Sequence, residues 1–225
     1  MRKAVLLTAA TAAVATSMIA AAAAQATVFT VPSEKYPAFI SGSPTESGPV
    51  TLSFEGGQTA SCNTPSLAGA IFEATPELNL SPGFGGCTVF GSKEGSVEAG
   101  SCEFVFHPGS GSGDKFTGTF DIACPPEETI KVKGSECEVQ IGSQTGLGTV
   151  VYNEVTENPE NPEEPAKVEA SFEMKATSGF AYTKTLDGGS CPLSGTGAKT
   201  NGVFNGAMDL NAGTFEFETI DFGIE

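Results

Sequence analysis

Three residue types on which many binding and catalytic sites depend are almost missing from this sequence of 225 residues. It has no Trp, no Arg after position 2, and a single His at position 107. Arg is the side chain that grips phosphate groups through two parallel hydrogen bonds. Acidic residues number 27 against 11 basic ones, for a net charge of −16 at pH 7. Because such a chain is repelled by a phosphate backbone, we predict that it has no nucleic-acid partner.

Long apolar runs are missing after residue 26, so the sequence predicts no transmembrane span beyond that point. The first 26 residues are different. Arg2 and Lys3 precede an Ala-rich apolar segment, and Ala24-Gln25-Ala26 forms a small-x-small cleavage site. This pattern predicts a cleaved signal peptide over residues 1–26. A membrane anchor is the alternative, but the segment is only weakly hydrophobic and no stop-transfer charges follow it.

Cleavage would release residues 27–225 as a secreted, extracellular protein, and the sequence leaves open whether it stays at the cell surface. Loss of Arg2 and Lys3 would change the net charge from −16 to −18. Negative charge of this size favours solubility outside the cell.

The cysteines are six in number and all follow the signal, which predicts three disulfides in an exported chain. A zinc site would need close pairs such as CxxC, whereas the shortest spacing here is the 13 residues from Cys124 to Cys137. We therefore predict no metal site and no cofactor. The predicted disulfide residues are Cys62, Cys87, Cys102, Cys124, Cys137 and Cys191.

Apolar and polar residues alternate with a period of two in several segments, including 50–55, 168–176 and 215–218. Each pattern is typical of a strand with one face on a core and one in water. The fold class is therefore predicted as all-β: a disulfide-linked antiparallel β-sandwich of about ten strands, with a distorted β-barrel as the alternative. The predicted core contains Leu52, Phe54, Phe104, Phe106, Phe120, Ile122, Val132, Val139, Ile141, Phe172, Met174, Phe204 and Phe217.

A hairpin over residues 102–124 provides the sharpest prediction, because one register aligns thiols and apolar residues together. It places Cys102 opposite Cys124, with the Phe residues at 104 and 106 opposite the apolar residues at 122 and 120. A slip by one residue would destroy every one of these pairs. We predict a Cys102–Cys124 disulfide and a flexible turn over residues 108–115. A similar register suggests Cys62–Cys87, although Pro65 interrupts the alternation, and Cys137–Cys191 follows only by elimination.

Residues 153–165 form an acidic, Pro-rich segment that can be neither a helix nor a central strand. We expect an exposed loop within a single β-rich domain, 27–225, because disulfides distributed from residue 62 to 191 would tie both sides together; a boundary between two sub-domains is the alternative. The loop offers oxygen ligands, as do Asp114 and Asp187 in Gly-rich turns, but at most weak Ca²⁺ binding is expected without EF-hand spacing.

Catalysis has few candidate residues. Only His107 could serve as the base of a hydrolase triad, and it is expected on the solvent face of the hairpin with no Gly-x-Ser-x-Gly motif in the sequence. A pair of carboxylates could hydrolyse a glycosidic bond, but the sequence singles out no such pair. We therefore predict no enzymatic activity and no catalytic residue, with a glycoside hydrolase as the alternative. The three Tyr residues leave room for a polar sugar-binding pocket without catalysis.

The cysteine motifs resemble those of uncharacterised exported, cysteine-containing all-β proteins of soil actinobacteria. The resemblance covers about residues 50–210 and implies a secreted all-β domain, without an activity or site that could be transferred. The motifs that carry it are Phe84-Gly-Gly-Cys87-Thr-Val-Phe-Gly91, Ser101-Cys102, Ile122-Ala-Cys124-Pro125 and Glu136-Cys137-Glu-Val.

Together these patterns favour a secreted, non-catalytic interaction or binding protein at or outside the cell surface. Its partner would be an extracellular ligand of unknown identity, with a glycan or envelope polymer as the first expectation. The alternative is a secreted carboxylate-based hydrolase acting on polysaccharide.

Overall fold

The computed structural model describes residues 26–46, 48–155, 166–174, 179–187, 191–195, 197–216 and 218–225, and of Leu186 and Asp187 only the backbone. These residues form sixteen strands and two 3-10 turns, Ser33–Lys35 and Glu55–Gly57, without an α-helix. No helix in this part of the chain is long and apolar enough to cross a membrane. The strands are β1 (Phe29–Thr30), β2 (Ala38–Pro44), β3 (Val50–Ser53), β4 (Thr59–Ile71), β5 (Leu78–Val89), β6 (Ser96–Glu98), β7 (Glu103–Ser112), β8 (Lys115–Ala123), β9 (Ile130–Lys133), β10 (Cys137–Ile141), β11 (Gln144–Val155), β12 (Lys167–Glu173), β13 (Phe180–Asp187), β14 (Gly197–Gly213), β15 (Thr219–Ile220) and β16 (Gly223–Ile224).

Eight of these strands form an antiparallel circuit in which hydrogen bonding returns to the first strand. The order is β2, β4, β5, β7, β8, β11, β12 and β14, and β14 pairs again with β2. Leu210 of β14 shows the closure, because it lies opposite Val168 of β12 on one edge and opposite Gly42 of β2 on the other. The all-β, antiparallel fold class is confirmed.

A second set of strands continues from the first half of β14. There β13 pairs with β14, followed by β10, β9 and β6, while β3 lies between β14 and β4. β15 pairs with the end of β14, and β1 pairs with β16, which brings Phe29 opposite Ile224. The two ends of the described chain therefore meet.

Aromatic rings from opposite sides of the circuit pack against one another in the interior. Phe106 of β7 and Phe172 of β12, which are not neighbouring strands, have ring centroids 5.7 Å apart, and Phe172 lies 4.8 Å from Phe204. Side chains from facing parts of the circuit therefore interdigitate in one core, as the inner faces of a sandwich do. Every predicted core residue within the described part of the chain is buried, and Phe217 lies outside it.

The predicted hairpin register is confirmed, and the predicted turn is too long. Pairs run from Glu103 with Ala123 to Pro108 with Gly118, after which a bulge shifts the register and the strands continue to Ser112 and Lys115. The turn itself contains only two residues, 113 and 114. Glycine makes the close pairing possible, because a Cβ on Gly118 would lie 1.9 Å from the carbonyl oxygen of His107.

All three predicted disulfides are confirmed: Cys62–Cys87, Cys102–Cys124 and Cys137–Cys191. Cys62 and Cys87 lie directly opposite each other on β4 and β5. Pro65 does not interrupt β4 as the sequence suggested, since it pairs with Phe84 in the same register. The alternation shifts phase just before it, where two consecutive side chains face solvent.

Tyr152 of β11 carries a buried hydroxyl group. Its side chain is fully buried and lies edge-on to Phe29, with ring centroids 5.6 Å apart. Among the described residues the hydroxyl group has no hydrogen-bond partner. Burial raises the pKa of Tyr152 far above its ordinary value of 10.0.

We expect the Cys102→Ala, Cys124→Ala double variant to lose about 3 kcal/mol of unfolding free energy, because the open loop gains entropy in the unfolded chain. Urea unfolding under oxidising conditions measures this, with an unchanged circular dichroism spectrum as evidence that the fold persists. An unfolding midpoint equal to that of the wild type would show that this bridge does not stabilise the fold.

We expect Tyr152→Phe to raise the unfolding free energy by about 1 kcal/mol or more, because it removes a buried hydroxyl without a partner. Because burial raises the pKa of Tyr152 in the folded state, its contribution to the unfolding free energy does not change with pH below about pH 10. Above pH 10 the tyrosine ionises only in the unfolded state, which lowers the unfolding free energy of the wild type. The difference between variant and wild type should therefore widen above pH 10 in urea titrations.

The matched control is Tyr182→Phe. The Tyr182 hydroxyl accepts the backbone N–H of Glu55 at 3.1 Å and donates to Asn201 at 3.2 Å, so its removal should destabilise the fold. A Tyr152→Phe protein that is less stable than the wild type would contradict the assignment of an unpartnered hydroxyl.

Candidate binding site

A cavity of about 480 Å³ lies where the two ends of the described chain meet. Its volume falls within the range of sites that enclose small ligands. The pairing of β1 with β16 and a bridge between Phe29 and Thr75 hold its walls together. The cavity is lined by Thr30, Val31, Pro32, Ser33, Tyr36, Ala74, Glu154, Ala166, Asp221, Phe222, Gly223 and Glu225.

The 3-10 turn Ser33–Lys35 reverses the chain after β1 and brings Tyr36 back beside that strand. The Tyr36 hydroxyl accepts the backbone N–H of Val31 at 3.2 Å and lies 3.3 Å from the hydroxyl of Thr30. Because these contacts hold the phenol in one place, it presents a positioned hydroxyl group at the cavity wall.

The carboxylates of the cavity come from distant parts of the sequence. Glu154 of β11 accepts the backbone N–H of Ile224, and Asp221 accepts the backbone N–H of Ala166 at 2.9 Å. Gly223 lies against Glu154, since a Cβ at this glycine would be 2.6 Å from a carboxylate oxygen. Each carboxylate therefore has one oxygen that holds the backbone of a neighbouring segment.

A buried aromatic pair lies behind this wall. Phe222 is buried and stacks on Phe29, with ring centroids 5.9 Å apart and planes 12° from parallel. Tyr36, which is partly exposed, supplies aromatic surface beside the polar groups. The combination of ring surface and oxygen atoms is common in sites for small polar ligands.

The polar groups of the cavity are mostly hydrogen-bond acceptors. Three carboxyl side chains are present, from Glu154, Asp221 and Glu225, with hydroxyl groups from Thr30, Ser33 and Tyr36. The described lining residues include no Lys, Arg or His. Such a surface suits a ligand that brings hydrogen-bond donors, and it disfavours an anion.

His107, the one candidate base, lies outside this cavity. Its Nε2 atom is 3.1 Å from a carboxylate oxygen of Asp121, and its Nδ1 atom is 3.9 Å from Glu77. Asp121 also accepts the backbone N–H of Gly146 at 2.7 Å. Within the described residues no serine hydroxyl is hydrogen-bonded to His107, so a Ser-His-Asp triad is not assembled there.

The predicted acidic loop is described only at its beginning. Residues 156–165 lie outside the described part, and so does the side chain of Asp187. At the beginning, the backbone N–H of Glu154 donates to the carbonyl of Asp114 at 2.7 Å, while its side chain lines the cavity. No group of three His, Cys, Asp or Glu side chains that could hold a metal ion occurs among the described residues.

A second concavity, of about 360 Å³, lies beside the Cys102–Cys124 hairpin and is lined mainly by Glu and Lys side chains. Two of its carboxylates already have partners: Glu98 accepts a hydrogen bond from Lys133 at 2.6 Å, and Glu128 accepts the backbone N–H of Ser101 at 3.1 Å. The hydrogen bond from Lys133 lowers the pKa of Glu98. The described lining of this second concavity includes no aromatic residue, whereas Tyr36 lines the first cavity. The first cavity is therefore the stronger candidate for a binding site.

Sequence reasoning did not identify the cavity residues as a site. From the sequence alone, Glu154 belongs to a solvated acidic loop, Tyr36 is one of three tyrosines, and Asp221 has no distinguishing motif. Their convergence depends on pairing between residues near 30 and residues near 224. No periodicity within a short window reports a contact between segments so far apart in the chain.

Comparison with protein-family models, with curated proteins and with solved structures finds no match for this chain, so its function is argued from the geometry of the site.

Proposed function

We propose that this protein is an exported, non-catalytic binding module whose cavity at the chain ends binds a glycan. The observation that carries the proposal is the convergence of carboxylates and hydroxyl groups on one cavity with the partly exposed ring of Tyr36 beside them. Sugars present many hydroxyl donors and apolar ring faces, which match carboxylate acceptors and aromatic side chains. The partner would be an extracellular glycan or envelope polymer.

The carboxylates support binding better than catalysis. Glu154 and Asp221 each hold a backbone N–H group, which gives them a structural role in placing β16 and the start of β12. A glycosidase needs one carboxyl group that donates a proton and a second that attacks or activates water. The alternative of a secreted polysaccharide hydrolase is favoured by one observation, which is that Glu154, Asp221 and Glu225 line the same cavity.

Three disulfides support the exported location, because such bonds persist in oxidising compartments. We expect the protein recovered from its native host to begin at Thr27 and to gain six hydrogen atoms on reduction, two for each bridge. Intact mass with and without a reductant measures both. Retained residues 1–26, or an unchanged mass on reduction, would contradict export of an oxidised protein.

We expect the protein to bind at least one of a set of β-1,4-linked tetrasaccharides of glucose, N-acetylglucosamine and glucosamine, measured by titration calorimetry. Asp221→Asn should weaken this binding about 10-fold, because a charged acceptor is lost while the amide oxygen can still accept the N–H of Ala166. Glu103→Gln, on β7 away from the cavity, is the matched control and should leave the affinity unchanged.

The same samples separate the two functions. Stable tetrasaccharides after prolonged incubation are expected of a binding module, whereas new reducing ends that disappear in Asp221→Asn would establish a hydrolase. Failure of all three sugars to bind, or equal affinity for wild type and Asp221→Asn, would overturn the proposed site.

A further inference from the structure

Three phenylalanines are exposed at the end of the molecule that carries the cavity. Phe39, Phe72 and Phe215 are 45%, 74% and 59% exposed, and they are the large hydrophobic side chains that the described part of the chain leaves in solvent. The rings of Phe39 and Phe215 touch, with centroids 4.3 Å apart. We call these three residues the Phe patch.

The sheet register places Phe39 on an outer face, beside the ends of β4 and β14. Phe39 of β2 lies between its neighbours Ala70 on β4 and Gly213 on β14. Phe72 is the first residue after β4, and Phe215 lies in the turn between β14 and β15, where its ring contacts that of Phe39. Small neighbours leave the ring of Phe39 uncovered.

The outward positions further along β2 and β14 are polar, in contrast to the Phe patch. Further along β2 the outward positions are Ser41 and Ser43, and on β14 they are Asn211 and Asp209. Exposed apolar side chains gathered in one place on an otherwise polar surface are typical of a contact surface. Three separate, scattered phenylalanines would need no such explanation.

Acidic residues flank the Phe patch along the chain. Glu73 follows Phe72, Glu216 follows Phe215, and all of the glutamates at 34, 73, 216 and 218 are exposed. Lys35 lies at the same edge, with its ammonium group 3.4 Å from a carboxylate oxygen of Glu218. The described rim is therefore acidic, like the whole chain.

We propose that the Phe patch is a docking surface for a Lys- or Arg-rich segment of another polypeptide. Cationic side chains are attracted to the faces of aromatic rings, and their aliphatic stems can lie along apolar surface. The acidic rim supplies the complementary charge and would steer such a partner to the patch.

The negative charge of the protein favours a basic polypeptide on the Phe patch over a second copy of the chain or an anionic membrane. A second copy of the chain would bring the same acidic rim, and each copy carries a net charge of −16 before any cleavage. An anionic membrane surface would be repelled for the same reason. A basic polypeptide gains from the rings and from the rim together.

The test uses a fluorescent peptide of nine arginines, with a peptide of nine glutamates as the negative probe, at low and physiological salt. The Phe39→Ala, Phe215→Ala variant should weaken arginine-peptide binding about fivefold or more, because two ring faces are lost. Both residues are exposed, so the melting temperature should stay that of the wild type.

A charge-matched pair of variants separates a defined surface from general attraction. Glu73→Gln, Glu216→Gln removes two charges at the Phe patch, whereas Glu46→Gln, Glu94→Gln removes two exposed charges elsewhere, Glu46 at the far end of β2. The first pair should weaken binding about fivefold and the second by less than about twofold. Equal losses in both pairs, or no loss in the Phe variant, would overturn the proposal.

Two further outcomes would assign the Phe patch to another occupant and also overturn the proposal. These are a concentration-dependent dimer in sedimentation that disappears in the Phe39→Ala, Phe215→Ala variant, or vesicles of phosphatidylglycerol that bind the wild type and not this variant. Tetrasaccharide binding should be unchanged in the same variant, because the patch and the cavity use different side chains.

Discussion

The hydrogen bonding of β14 is the constraint on which the two parts of the fold depend. Its seventeen residues pair with five of the described strands: β13 and β3 along the first half, then β12, β2 and β15. Glycine permits the closest approaches, since a Cβ on Gly202 would lie 2.3 Å from the ring of Phe180, and Gly206 has a φ of 153° beside Val50. Without β14, neither the closed circuit nor the continuation through β13 would have its shared edge.

The local parts of this fold could be predicted from the sequence, and the non-local parts could not. Alternation around Cys102 and Cys124 specified the register, because a slip would have moved thiols and phenylalanines to the solvent face together. The Gly and Ser residues at 108–115 predict a longer turn than the structure has, because this composition is typical of loops. In fact their small size allows the backbones of β7 and β8 to pair closely, beyond a bulge.

The candidate site shows the limit of sequence reasoning most clearly. Glu154 and Asp221 belong to an acidic chain in which carboxylates are plentiful, and only the pairing of β1 with β16 distinguishes these two from the rest. The segment 33–37 links the cavity with the Phe patch. Ser33 and Tyr36 line the cavity, whereas Lys35 is ion-paired with Glu218 at the rim of the patch. A glycan in the cavity and a basic segment on the Phe patch would therefore both contact or adjoin the segment 33–37.

The pairing of β1 with β16 also has a consequence for the order of assembly. Synthesis from the N-terminus presents β1 first, while β16 follows every other described strand. Until β16 arrives, Phe29 and Val28 lack their partners Ile224 and Glu225, and one wall of the cavity does not exist. Ligand binding there would thus report the completion of folding, because the cavity forms only after β16 has paired with β1.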